Sequence, residues 1–190
     1  MVNYTDIDID FADRDQILKL IRHTPAMQLK KGQEVKHNTG VYVSDIPANP
    51  FTGLSAIDYK TAEQRGYFKL DFLNVHVYDL IKDQRHYDDL MRRDCPWHRL
   101  KEQEFVQKII HISNHWNIMK NMTVDSVPRM SMFLALIRPG KRHLVGKDWK
   151  EISADIWTKT DEYTFKKAHA VSYAVLVSLH MKLIHEQDQS

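Results

Sequence analysis

The chain is poor in the features that mark secreted, fibrous or membrane proteins. It has one cysteine, Cys95, among 190 residues. That excludes an intramolecular disulfide and a multi-cysteine zinc site, and it suits a reducing compartment. Six glycines and six prolines are spread over the whole length, and no flexible linker, low-complexity stretch or internal repeat is visible. No run approaches the ~18 uninterrupted apolar residues of a membrane span. The stretch from Met1 to Asp8 is acidic where a secretory leader is basic and then apolar. An excess of one charge is lacking too: 27 Lys+Arg stand against 25 Asp+Glu, a net +2. Total charge therefore does not announce a nucleic-acid partner, although 11 histidines add positive charge below neutrality. What remains is a cytoplasmic globular protein, long enough to bury a core and fold alone.

The period of the hydrophobic pattern changes along the chain. Short runs suited to strands fill residues 1–74: Ile7, Ile9 and Phe11, then Val41 and Val43, then Tyr67 to Phe72. Between the first two, Ile17, Leu18, Leu20 and Ile21 share a broad helical face, with Asp13 placed to cap its start. From about residue 75 the spacing is helical, in segments expected near 75–92, 97–111, 126–137 and 164–187. The last is apolar nearly all round between Ala170 and Leu179, which points to burial. Strands followed by helices predict an α+β fold.

The most informative segment is Thr5-Asp-Ile-Asp-Ile-Asp-Phe11. On a strand, Asp6, Asp8 and Asp10 share one face while Ile7, Ile9 and Phe11 share the other. Carboxylates about 7 Å apart, the spacing of alternate strand residues, repel by roughly 2 kcal/mol at an effective dielectric of 20, so such a row favours a counter-charge. A divalent cation is one answer, because magnesium takes a few carboxylate oxygens together with water and phosphate. A solvated edge strand that uses its acids against edge-to-edge pairing is the other. In Phe68-Lys-Leu-Asp-Phe-Leu-Asn74, Asp71 interrupts an apolar run, and a carboxylate there needs a cation or hydrogen-bond donors. A structural salt bridge, a helix cap and a third metal-binding acid all meet that need.

Taken in order, these segments resemble the C-family bacterial replicative DNA polymerases, the α subunit of DNA polymerase III. Asp6-Ile-Asp-Ile-Asp-Phe11 is similar to the family's Pro-Asp-x-Asp-x-Asp-Phe palm motif, with Thr5 in place of proline. His37-Asn-Thr-Gly-Val-Tyr-Val43 resembles His-Ala-x-Gly-Val-Val-Ile, and Ile57-Asp-Tyr-Lys60 resembles the Gln-Phe-Asp segment. Gly66-Tyr-Phe-Lys-Leu-Asp-Phe-Leu-Asn74 resembles the Gly-Leu-x-Lys-Phe-Asp-Phe-Leu-Gly that carries the third catalytic acid. Further on, Leu134-Ala-Leu-Ile-Arg-Pro-Gly140 and Phe165-Lys-Lys-Ala-His-Ala-Val-Ser-Tyr-Ala174 resemble two fingers segments. The resemblance implies that Asp8, Asp10 and Asp71 bind two Mg2+ ions, with Mn2+ a substitute, and that Lys69 is the neighbouring active-site cation. It further implies that Lys36, His37, Arg138, Lys141, Arg142, Lys167 and His169 meet nucleotide or nucleic acid. The expected fold is a single compact unit over 1–190, with a palm-like, nucleotidyltransferase-type mixed sheet over 1–92 and a helical fingers-like part over 93–190. The expected activity is Mg-dependent nucleotidyl transfer to a nucleic-acid 3′ end, with primed DNA and deoxynucleotide triphosphates as partners, along with other replication proteins.

The departures are as informative. Only residues 12–35 separate Phe11 from Lys36, where the family inserts a far longer segment containing its thumb. The family's Gly-Ser motif stands upstream of the acidic strand, before this chain begins. So compact a version points to a phage-encoded protein working in the host cytoplasm. It also keeps open a polymerase-derived binding protein without chemistry (a decoy, regulator or replisome adaptor) and one half of a split polymerase. The residue-level alternatives are plainer. Arg138, Lys141, Arg142, Lys147 and Lys150 make an ordinary solvated loop or a phosphate-binding patch, and His169 is a core histidine or a ligand-facing one. Trp97, Trp116, Trp149 and Trp157 suit core packing better than base stacking. His111 and His115 share a helical face but lack a third zinc ligand.

Overall fold

The computed structural model describes residues 7–158, 160 and 165–190; Thr5 and Asp6, the start of the acidic motif, lie outside them. The fold is α+β, and the chain divides into two compact units, Met1–Ile81 and Lys82–Ser190. Among the described residues no helix is long and apolar enough to cross a membrane.

The first unit is built on an open four-stranded mixed sheet in the order β1-β4-β3-β2. Its strands are β1 (Ile7–Phe11), β2 (Thr24–Lys30), β3 (Gln33–Tyr42) and β4 (Leu70–Asn74). β1 runs parallel to β4, while β3 is antiparallel to both of its neighbours. One face is apolar: Ile9, Phe11, Val41, Leu70 and Phe72 pack with Ile17 and Leu18 of helix α1 (Arg14–Leu20) and with Ile21 just after it. The Phe11 and Phe72 rings stack at 5.1 Å between centroids. Asp13 caps α1, accepting from the backbone N–H groups of Asp15 and Gln16. The other face is covered along β2 and β3 by helix α2 (Tyr59–Gln64), whose Ala62 packs with Ala26, Tyr42 and Ile46. Asp58 caps α2 through the Lys60 N–H.

Two irregularities shape β2 and β3. The connecting turn has φ of 51° at Lys31 and 79° at Gly32, both in the left-handed region, as a two-residue hairpin with the right strand twist requires. Further down, Pro25 pairs with Val41 and Met27 with Lys36, so Ala26 alone faces four residues, His37 to Gly40. That large bulge bends β3 and re-aims its side chains. Arg14, 7% exposed, secures it by donating to the Asn38 carbonyl.

The second unit is helical around one continuous core. Its helices are α3 (Gln84–Arg92), α4 (Gln103–Lys108), α5 (Trp116–Met119), α6 (Val127–Leu136), α7 (Trp149–Asp155) and α8 (Lys167–Gln189). The 3-10 turns Trp97–Lys101 and Pro139–Leu144 connect them. Ser126 and a proline in the first turn start α6. The reciprocal Asp148 and Glu151 bonds start α7. Phe105, Ile109, Met130, Phe133, Leu134, Leu136 and Ile152 are almost wholly buried, and α8 contributes Ala170, Ala174, Val177 and Met181. All four tryptophans pack against this core. In α8 the continuous buried band runs from Leu176 to Ile184, whereas Val171 and Val175 are exposed, so the band is shifted toward the C-terminal end of the stretch expected from its apolar composition.

Candidate functional site

In the first unit the parallel register pairs Asp8 with Asp71, and Asp10 follows two residues along β1. Side chains at paired positions of neighbouring strands leave the same face, and alternate residues keep to it, so Asp8, Asp10 and Asp71 stand on one face of the sheet. It is the face opposite the α1 core. The separation in sequence between Asp10 and Asp71 is bridged because β1 and β4 are adjacent while the β2–β3 hairpin and α2 are looped out between them.

Asp71 is 9% exposed and engaged at both oxygens. Its Oδ2 accepts from the Lys69 ammonium and its Oδ1 from the Thr39 hydroxyl at 2.7 Å. Burial pushes its pKa up, but the hydrogen bonds from Lys69 and Thr39 and the Lys69 charge outweigh that and hold it below the ordinary carboxylate value. Asp10 goes the other way: burial, then the neighbouring Asp8 carboxylate, raise its pKa. Among the described residues Asp10 has no cation beside it, whereas Asp71 is already matched by Lys69.

The bulge in β3 supplies the rest of the site. His37 Nδ1 lies 3.8 Å from Asp71 Oδ1, yet it accepts from the backbone N–H groups of Thr39 at 3.3 Å and Gly40 at 2.9 Å. These two bonds orient the imidazole from the bulge backbone and set its Nδ1 toward Asp71. The ring also packs edge-on against Tyr59 of α2. Gly40 pairs with Asp71, and a Cβ there would come within 2.7 Å of Lys69 Cδ and 3.0 Å of His37 Nδ1. Glycine at this position leaves the path along which Lys69 reaches Asp71. Tyr42, wholly buried nearby, has a hydroxyl with no hydrogen-bond partner among the described residues. Burial, followed by the Asp58, Asp71 and Glu63 charges, pushes its pKa up to about 12.

Three acids on one face match the donor chemistry of a hard divalent cation. As arranged, however, no group of three His, Cys, Asp or Glu side chains among the described residues is drawn together closely enough to hold one. The carboxylates are correctly faced, and Lys69 and Thr39 occupy the oxygens that Asp71 would offer.

The remaining predicted residues divide between the units. Lys36 is exposed at the foot of the β2–β3 ribbon. In the second unit the Arg138 guanidinium lies 4.7 Å from the centroid of Phe165, which stacks on Tyr173 at 5.4 Å and lies 6.2 Å from His169. Arg142 and Lys167 are exposed, the latter with its ammonium 5.9 Å from the Trp157 ring centroid. Lys141 is placed quite differently: it is wholly buried. It donates to the Asp155 carbonyl at 2.5 Å, to Thr158 Oγ1 at 2.7 Å and to Asp155 Oδ1 at 3.3 Å. Its charge closes the C-terminus of α7 and is not presented to a solvent phosphate.

Sequence reasoning missed Thr39 as a participant and placed His111 on a helix it does not occupy. Thr39 carries no signal beyond its place two residues after His37. His111 adopts φ 66° between α4 and α5, with its ring 4.6 Å from Tyr173 and a buried Nε2 that has no partner among the described residues. It and His115 lie in an irregular connection, not on one helix. Burial, then the charge of Arg138, lowers the pKa of both. Comparison with known protein families, curated proteins and solved structures found no match to this chain.

Proposed function

We propose that the chain is a reduced relative of the C-family replicative polymerases, a palm-like sheet that performs Mg-dependent nucleotidyl transfer to a nucleic-acid 3′ end. The reading rests on one observation above all: Asp8 and Asp71, 63 positions apart in sequence (71 − 8), pair in register on adjacent parallel strands with Asp10 on the same face. Chance acidic residues on an edge strand have no reason to meet a buried acid from a second strand. Magnesium bound there would supply Lewis-acid activation of a 3′-hydroxyl and would clamp the phosphoryl oxygens. Asp8 and Asp10 offer carboxylate oxygens on the same face as Asp71. Thr39 orients Asp71 through its hydroxyl, and Lys69, displaced from Asp71, offsets charge on the transferring phosphoryl group. The test is incorporation of a labelled deoxynucleotide on primed DNA with Mg2+ or Mn2+. Asp8→Asn, Asp10→Asn and Asp71→Asn are each expected to abolish it, and full incorporation by Asp8→Asn overturns the mechanism.

A second reading, a polymerase-derived binding protein without chemistry, is favoured by the Lys69 and Thr39 bonds that fill both oxygens of Asp71. Under it, titration with Mn2+ followed by electron paramagnetic resonance finds no bound ion. Under the first reading, Mn2+ binds and the Asp8→Asn variant loses it.

A further inference from the structure

We infer that the β2–β3 ribbon is a duplex-gripping arm, whose Lys30, Lys31 and Lys36 contact the phosphates that flank a groove of double-stranded nucleic acid. The ribbon is two strands wide, and its register from Met27↔Lys36 to Lys30↔Gln33 extends it about 10 Å before the turn. β4 does not follow it, since β3 pairs with β4 only at Gly40 and Val41. Lys30, Lys31 and Lys36 are all exposed, and among the described residues none of their ammonium groups makes an ion pair or a hydrogen bond. Lys69, Lys108 and Lys141, by contrast, all pair with carboxylates. The one acid of the ribbon is Glu34.

The placement of the lysines selects the partner. Lys30 pairs with Gln33, and Lys36 pairs with Met27 three residues away along β2. Cross-strand partners share a face and alternate residues keep to it, so Lys30 and Lys36 leave opposite faces of the ribbon while Lys31 sits at its tip. Positive charge on both sides and at the end of a narrow ribbon suits insertion between two rows of phosphates; a two-stranded ribbon fits the ~12 Å major groove of B-DNA. A flat acidic surface would be met from one side only. Pairing with another strand is opposed as well. The outward N–H groups of β2 are already taken, that of Met27 by Ser55 Oγ at 2.9 Å and that of Leu29 by Asp58 Oδ2 at 3.1 Å. The ribbon grows directly from the bulge whose His37 and Thr39 stand against Asp71, so a duplex held there has its end near the acidic face. That last step rests on the proposed function; the gripping itself does not.

The experiment is binding of the full chain to a short labelled DNA duplex, followed by fluorescence anisotropy across a salt series in EDTA. Metal chemistry is then off, and its failure leaves the measurement intact. Each phosphate contact adds about 0.9 to the slope of log K against log salt. The triple variant Lys30→Gln, Lys31→Gln, Lys36→Gln is expected to lose roughly 2–3 of slope and at least about tenfold in affinity at 0.1 M salt. These are surface positions, so circular dichroism should match the unaltered chain. The charge-reversed pair Lys30→Glu, Lys31→Glu should weaken binding further. An unchanged slope in the triple variant, equal affinity for a single strand of the same length, or absence of duplex binding by the unaltered chain each overturns the inference.

Discussion

The two units of the molecule solve the problem of burying a sheet and burying a helical layer in opposite ways. The helical unit has one continuous core, in which Phe105, Phe133, Leu134 and Ile152 are sealed from solvent. The sheet unit splits its apolar residues into two thin clusters on opposite faces, one under α1 and one under α2. The part of its second face formed by β1 and β4 carries Asp8, Asp10 and Asp71 instead of a core. Hydrophobic stabilisation scales with the apolar area removed from water, so the helical unit is built for stability and the sheet unit spends potential core area on charge. Several charges of the helical unit are paired, internally at Lys141 with Asp155 and at its surface where Arg99 meets Glu102 and Asp188. In the sheet unit, Asp10 and the three ribbon lysines have no such partner among the described residues.

The sharpest way to break this contrast is to open the helical core. Phe133→Ala should cost about 3–5 kcal/mol in denaturant unfolding followed by far-UV circular dichroism, because the ring is sealed on all sides. A loss below about 1 kcal/mol would show that the core is looser than its burial implies.

Acidification should separate the units by pH. Burial lowers the pKa of His111, His115 and His180 in the helical unit below 6.5. The unfolded chain then takes up these protons first, so stability is full above pH 6.5, erodes as pH falls toward the lowered native values, and levels off below them. In the sheet unit Asp71 is held below its ordinary value of 3.8, so its contribution is present above pH 3.8 and is lost only in stronger acid. Asp10, raised, works against that trend. The melting temperature should therefore fall between pH 7 and pH 5. The variant His111→Asn, which tolerates the left-handed backbone, should lose part of the fall. A flat profile over that interval would refute the assignment.

The smallest and most local effect is expected at Lys69. Lys69→Met leaves Asp71 with burial and without its cation, so its pKa should move from below the ordinary carboxylate value to above it. Carbon-detected NMR of the side-chain carboxyl reads this directly. The stability cost should be roughly 1–3 kcal/mol. A carboxyl that still titrates below 3.8 in the variant would mean that Thr39, not Lys69, sets its charge state.

Much of this contrast was legible in the sequence, for definite reasons. β1 alternates acid and aliphatic residues over a full strand, and Asp13 stands where a cap is needed, so strand, helix and start signal agree. α6 and α8 are long and apolar enough to be read from period alone. β2 was not read, because Thr24-Pro-Ala-Met-Gln-Leu-Lys30 carries a proline and no alternation, and its turn is Lys31-Gly32 in place of the Asn-Gly that usually marks a two-residue hairpin. The helix expected over 75–92 is a 3-10 turn, His76–Leu80, followed by α3, and the segment 97–111 divides in the same way. α2, α5 and α7 are too short for a period to declare itself. The common face of Asp8 and Asp71 was anticipated through a resemblance, but the Lys69 and Thr39 bonds to Asp71 depend on a bulge that no local pattern encodes. Lys141 shows the same limit: Arg-Pro-Gly-Lys-Arg reads as a basic loop, and only the 3-10 turn Pro139–Leu144 brings the fourth residue inward.

Lys141 also provides a chemical clock. An ammonium with no solvent-exposed surface and three oxygen partners cannot be acylated by a water-borne reagent until α7 and the turn before it come apart. The exposed lysines of the ribbon have no such shield. The ratio of acetylation at Lys141 to that at Lys31, read by mass spectrometry, therefore counts how often the helical unit opens.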